Sequence, residues 1–143
     1  MRSIGPQHTM PERALRSFLH RAGFRFRLYG KNLVGKPDLV LPMYRTVMFV
    51  HGCFWHQHDR CANAVMPSSN ASFWKKKLEA NRQRDKIQIA VLRAAGWRVG
   101  ILWECAARKG VPDARTFRSI AIWLKQRSGY REFPRYPLRS RRN

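Results

Sequence analysis

Residues 35–61, GKPDLVLPMYRTVMFVHGCFWHQHDRC, constrain the fold of this chain more than any other stretch. Two apolar runs, Leu39-Val40-Leu41 and Thr46-Val47-Met48-Phe49-Val50, flank Pro42-Met43-Tyr44-Arg45 and lead directly into His51, Cys53, His56, His58 and Cys61. A run that is apolar at every position, not at alternate ones, has both faces covered. Each therefore predicts a well-buried strand, and the short break between them predicts a hairpin. Metal-capable residues delivered by the end of a buried strand predict a site on the rim of a sheet.

The flanking sequence supplies the layers such a sheet needs. Thr9-Met10-Pro11-Glu12 has the spacing of a capping box, and Leu15, Phe18, Leu19 and Ala22 recur at helical intervals up to Gly23. Phe24-Arg25-Phe26-Arg27-Leu28 alternates and predicts a strand with one buried face. After a polar loop over residues 62–70, Ser72 stands where it can cap a long helix over 73–95. Its core face is expected at Ile87, Ala90, Val91 and Ala94, and Gly96 ends it. Residues 97–103 predict another buried strand, followed by Glu104-Cys105. Asp113 or Pro112 opens a last helix with Phe117, Ile120, Ala121 and Leu124 on one face. Helix, three strands, helix, strand, helix make one α/β domain with a mixed sheet over residues 1–126, of which 1–8 form an arm. The arginine-rich residues 127–143, whose one acid is Glu132, are expected to be a loosely ordered tail.

Charge narrows the partners. With 29 Lys+Arg against 8 Asp+Glu the net charge is +21, which points to a polyphosphate partner and above all to nucleic acid. An anionic membrane is the rival, but no apolar run approaches the ~20 residues of a span. Three cysteines do not make a disulfide framework; beside histidines they read as metal ligands in a reducing compartment, hence a cytoplasmic protein.

Three constellations carry chemistry. Cys53, His58, Cys61 and Cys105 offer the thiolate and imidazole set of a closed structural zinc site; the alternative is that Cys105 is an ordinary buried thiol and the loop thiols are incidental. Pro37-Asp38 at a strand start, with Glu12 on an upstream helix, is the skeleton of a Mg²⁺-dependent nuclease site, although Glu12 equally fits the capping box. His51 and His56 offer imidazoles to take a proton, and Asp85 could orient one of them or simply pair with neighbouring cations on the helix surface. Phe54-Trp55 and Phe73-Trp74, set among histidines and lysines, suit stacking on bases or wedging between them; otherwise one ring of each pair turns inward.

FVHGCFWHQHDRC, preceded by GKPDLVL and followed by FWKKKLEANRQRD and GWRVGILWEC, closely resembles the very short patch repair (Vsr) DNA mismatch endonucleases, in order over residues 1–105. The resemblance implies a restriction-endonuclease-like (PD-(D/E)xK) three-layer α/β/α sandwich with a central mixed sheet and a structural zinc site. It implies nicking of duplex DNA 5′ to the thymine of a T·G mismatch left by 5-methylcytosine deamination, by a monomer, in the nucleoid, with repair-pathway proteins as further partners. By the same resemblance Asp38 and the carbonyl of Val50 hold Mg²⁺, and His56 is the general base oriented by Asp85. His51 and Glu12 complete that centre, and Cys53, His58, Cys61 and Cys105 hold Zn²⁺. Phe54, Trp55 and Trp74 form the wedge, while Met1, Ile4, Lys77 and Asn81 contact the mispair. The chain departs from the pattern at Val50, where the well-known member has threonine, and by one extra residue between His58 and Cys61. Relatives also carry further basic residues upstream of the arm. Two other readings remain: a restriction-like nuclease without mismatch preference, and a zinc-stabilised DNA-binding protein that does not cut.

Overall fold

The computed structural model describes residues 9–110 and 113–136. Helix α1 (Met10–Arg21) starts at Thr9, whose side-chain oxygen accepts from the Glu12 N–H at 3.4 Å. Strand β1 is only Arg27–Leu28, shorter than the alternation over 24–28 predicts: Phe24 turns into the core beneath α1 and leaves two residues to pair. Strands β2 (Leu39–Leu41) and β3 (Thr46–His51) form the expected antiparallel hairpin. Helix α2 (Ala71–Ala94) then crosses to β4 (Arg98–Trp103), which runs parallel to β3. Asn70, not Ser72, precedes the first turn of α2. Helix α3 (Ala114–Leu124) is capped by Asp113, whose carboxylate accepts from the Thr116 N–H at 2.8 Å.

A fifth strand corrects the expectation of a loosely ordered tail from residue 127. Tyr130–Phe133 forms β5, parallel to β4, with Phe133 buried in the core. Only one side of this edge strand pairs and only one residue is fully buried, so its sequence looks polar. The sheet order is β1-β2-β3-β4-β5, antiparallel in its first half and parallel in its second.

Both faces of the sheet are covered, which is why β2 to β4 read as continuous apolar runs. Leu39, Leu41, Met48 and Leu102 pack with Leu15 and Leu19 of α1 and Phe117, Ile120 and Trp123 of α3. On the other face Val40, Val47, Phe49 and Val99 meet Leu92 of α2. Gly100 permits the close approach at the centre: a Cβ there would collide with Met48 and lie 2.9 Å from the Trp123 ring. Arg98 fastens α3 to the sheet. Its guanidinium donates to the Trp123 and Leu124 carbonyls at 2.6 and 3.0 Å, joining the Gln126 N–H on the first of these last-turn acceptors.

The face of α2 that meets the sheet differs from the one the apolar spacing suggests. Ile87 and Val91 are 63% and 45% exposed, and Ala90 and Ala94 are exposed too. Leu78, Asn81 and Leu92 are the buried residues. No helix among the described residues is long and apolar enough to cross a membrane.

Candidate active site and metal centre

Three parallel strands end on one edge of the sheet, and the candidate residues collect there. β3 ends in His51, β4 in Trp103 followed by Glu104-Cys105, and β5 in Phe133 followed by Pro134. Because β2 is antiparallel to β3, it begins at the same edge, which brings Asp38 beside Val50. The Val50 N–H donates to Asp38 Oδ2 at 2.7 Å.

Asp38 is held at a cost. Burial pushes its pKa up to about 6, and the negative charge of Glu12 adds to the rise. The Val50 hydrogen bond and the charge of His56 oppose it. Glu12 is itself buried on α1, paired with Arg16, which also donates to the Tyr29 hydroxyl at 2.7 Å. The Glu12 main chain thus joins the cap, while the charge of its carboxylate is felt at Asp38.

His56 and Asp85 meet across 29 positions of sequence, at 2.7 Å from Nδ1 to Oδ2. A carboxylate only accepts, so Nδ1 carries a proton, and in the neutral ring Nε2 is the nitrogen whose lone pair is open for chemistry. The His51 ring stacks on His56 with centroids 3.7 Å apart and planes 7° from parallel. Burial, reinforced by His56, holds the pKa of His51 well below the ordinary value, so it stays neutral. Ligating atoms of His51, His56 and Asp85 lie within 4.8 Å of one another. Parallel stacked rings, however, do not converge their lone pairs on one point, so the trio is better suited to orienting a base than to enclosing an ion.

Beside this centre Cys53, His58, Cys61 and Cys105 are all buried, with ligating atoms within 4.8 Å of one another. Cys53 and Cys105 Sγ lie 3.7 and 3.6 Å from His58 Nδ1. In the absence of a cation the Cys53 thiol stays protonated, pushed up by its contact with Cys105 and by burial. The other ring nitrogen of His58 donates to the Pro134 and Arg135 carbonyls, 3.0 Å each, which fixes the tautomer that presents Nδ1 to the thiols. The Trp103 ring separates the two clusters, stacked on His58 at 4.3 Å and edge-on to His51 at 5.4 Å. Glu104 accepts from the Cys53 N–H at 3.1 Å. The two carbonyls escape sequence reasoning, since a main-chain acceptor leaves no residue signature.

The aromatics gather on the outside of this edge. Phe54, Trp55 and Trp74 contact one another at centroid distances of 5.2 to 6.0 Å, and Phe73 joins through Trp74. Trp55 and Phe73 are 42% and 58% exposed and their neighbours Phe54 and Trp74 only half-buried, so no ring of either pair lies in the core. Lys77 Nζ lies 5.6 Å above Trp55, and the Asn81 amide donates to the Trp55 carbonyl at 3.3 Å. Lys77, Asn81 and Asp85 recur every four residues on α2. Met1 and Ile4 lie outside the described residues.

A family model described as DNA mismatch endonuclease Vsr matches residues 1–63. The chain is 44% identical over 126 residues to the DNA mismatch endonuclease Vsr of Escherichia coli (strain K12), covering 87% of this chain and 80% of that protein. It is 50% identical over 105 residues to the Type II nicking enzyme V.XorIIP of Xanthomonas oryzae pv. oryzae, covering 73% and 76%. Against the Type II nicking enzyme V.NmeAIP of Neisseria meningitidis serogroup A it is 44% identical over 105 residues, covering 73% and 74%.

Proposed function

Because this chain belongs to the Vsr DNA mismatch endonuclease family, we propose that it nicks double-stranded DNA 5′ to the thymine of a T·G mismatch, initiating very short patch repair. The observation that carries the reading is the hydrogen-bonded His56–Asp85 pair on the sheet edge where Asp38 meets Val50. The protein works as a monomer on the DNA of a bacterial nucleoid, and its sheet, with helices on both faces, fits the restriction-endonuclease-like class.

Asp38 and the Val50 carbonyl would hold Mg²⁺, with Glu12 and His51 around them. A divalent cation offsets the repulsion that burial and Glu12 impose on the Asp38 carboxylate, so the residues suit the ion. When bound, Mg²⁺ neutralises charge developing on the scissile phosphate. His56 takes a proton from the attacking water at Nε2, while Asp85 holds the ring and stabilises the imidazolium. His51 supports His56 from behind by stacking and, being neutral, does not repel the proton that His56 gains.

Zn²⁺ is the ion proposed for the Cys53, His58, Cys61 and Cys105 cluster. Tetrahedral bonds near 2.3 Å to sulfur and 2.0 Å to nitrogen set those atoms about 3.5 Å apart, close to the separations observed at His58. The extra residue before Cys61 is absorbed without removing that thiol from the cluster. Phe54, Trp55 and Trp74 enter the duplex beside the mispair, where weak pairing lowers the cost of unstacking, and Lys77 and Asn81 meet the mispaired bases.

A nicking assay tests the reading, with a T·G duplex and its C·G control, Mg²⁺ or EDTA, and Asp38→Ala and His56→Ala proteins alongside. Mg²⁺-dependent cutting of the thymine strand alone is expected, with both variants slowed by at least about 10²-fold. Equal cutting of the matched duplex would favour a nuclease without mismatch preference. Tight binding without cutting would leave a DNA-binding protein.

A further inference from the structure

Beyond the two clusters, the same edge of the sheet continues into a basic cavity. A space of about 620 Å³ opens between α3 and the edge strand β5, lined by Arg115, Tyr130, Arg131, Glu132 and Arg135 among others. Its nearby acids are already engaged. Glu132 accepts from Trp103 Nε1 at 3.0 Å, and the Asp113 carboxylate caps α3 through the Thr116 N–H and hydroxyl at 2.8 and 2.6 Å. Among the described residues, Arg115, Arg131 and Arg135 have no ion-pair partner.

Two of these arginines are held in place by rings. The guanidinium of Arg131 lies 5.1 Å from the Phe133 centroid, and that of Arg135 5.4 Å from Tyr136. Arg60, from the loop carrying Cys61, lies 4.6 Å from the same Tyr136 ring. An aromatic face orders a guanidinium without neutralising it and leaves its N–H edges open to oxyanions.

A chain of contacts joins the cavity to the cleavage centre: His56 on His51, His51 on Trp103, Trp103 on His58, and His58 on the Arg135 carbonyl. Arg135 therefore stands on the same rim as His56, past the metal cluster. We propose that Arg60, Arg115, Arg131 and Arg135 form a track for the phosphodiester backbone of the duplex flanking the cleavage site on the metal-cluster side. This rests on the DNA reading above and extends its footprint to β5 and α3, elements given no DNA contact by the sequence.

The test measures binding of the full chain to a T·G duplex without Mg²⁺ across a salt series. A variant combining Arg115→Gln, Arg131→Gln and Arg135→Gln is compared with a control combining Arg93→Gln, Lys125→Gln and Arg127→Gln. The control removes the same charge from the opposite rim, where the parallel strands begin. The log–log salt slope should shrink by roughly 0.9 per lost phosphate contact, up to about 2.7, in the track variant and much less in the control. Truncating the duplex on one side of the T·G pair, and not the other, should abolish the difference. Equal losses in both variants would overturn the track and leave only bulk charge; so would an unchanged slope, or losses indifferent to truncation. Arg115→Gln alone, an exposed helix position, keeps the test valid if the triple variant folds poorly. Wild-type protein that fails to bind the duplex at all would instead overturn the DNA reading.

Discussion

Ionising Asp38 opposes folding. With a folded pKa of about 6 against an unfolded value near 3.9, the native state retains a proton that the unfolded chain has released over that interval. The resulting stabilisation is complete below about pH 4 and is lost as pH rises through about 6. At neutral pH the ionised carboxylate therefore costs about 3 kcal/mol, to order of magnitude. Asp38→Asn keeps the shape and an acceptor for the Val50 N–H without the charge. In metal-free protein it should be more stable than wild type at pH 7.5, and the two should converge near pH 4 when unfolded in urea across a pH series. Mg²⁺ should narrow the gap by stabilising wild type alone. A gap that is constant with pH would refute this account of the site.

At the scale of elements, α2 is the one most easily misjudged. Leu92, 2% exposed between Val40, Val47 and Phe49, should lose about 2–5 kcal/mol on truncation to alanine. Ile87→Ser and Val91→Ser should each change stability by less than about 0.5 kcal/mol, because both side chains already face water. Denaturant midpoints at constant slope decide the matter; a large loss at Ile87 would mean that face is covered. The hairpin of β2 and β3 is legible in the sequence because burial on both faces demands unbroken apolar runs. The inward face of α2 is not, because Asn81 and Asp85 point toward the site and interrupt the pattern that periodicity seeks. Strand β5 is hidden for a related reason: Arg131 is exposed, Glu132 turns its carboxylate to Trp103, and Phe133 is its one buried residue. The histidine and cysteine clusters are legible because few other pressures concentrate those side chains. What orients His58, the Pro134 and Arg135 carbonyls, has no letter of its own.

Across the whole molecule, the Cys/His cluster joins distant parts of the chain. Its four residues come from the loop after β3 and the turn after β4, and His58 reaches on to the end of β5. On the Zn²⁺ reading proposed above, removing the ion should free His58 to rotate and loosen β5 before the β2–β3 hairpin. Hydrogen exchange should show the amides of β5 losing protection first on chelation and regaining it with Zn²⁺ but not Mg²⁺. Uniform loss across the sheet would mean that the cluster stabilises the fold without any special hold on β5. The second long-range link is α2, with Lys77 beside the aromatics and Asp85 on His56. Eight residues of unbroken helix separate them by about 12 Å, a stiff bar and not a hinge. Displacing Lys77 therefore carries Asp85 with it, so the seat of the His56 ring and the exposed aromatic surface cannot shift independently.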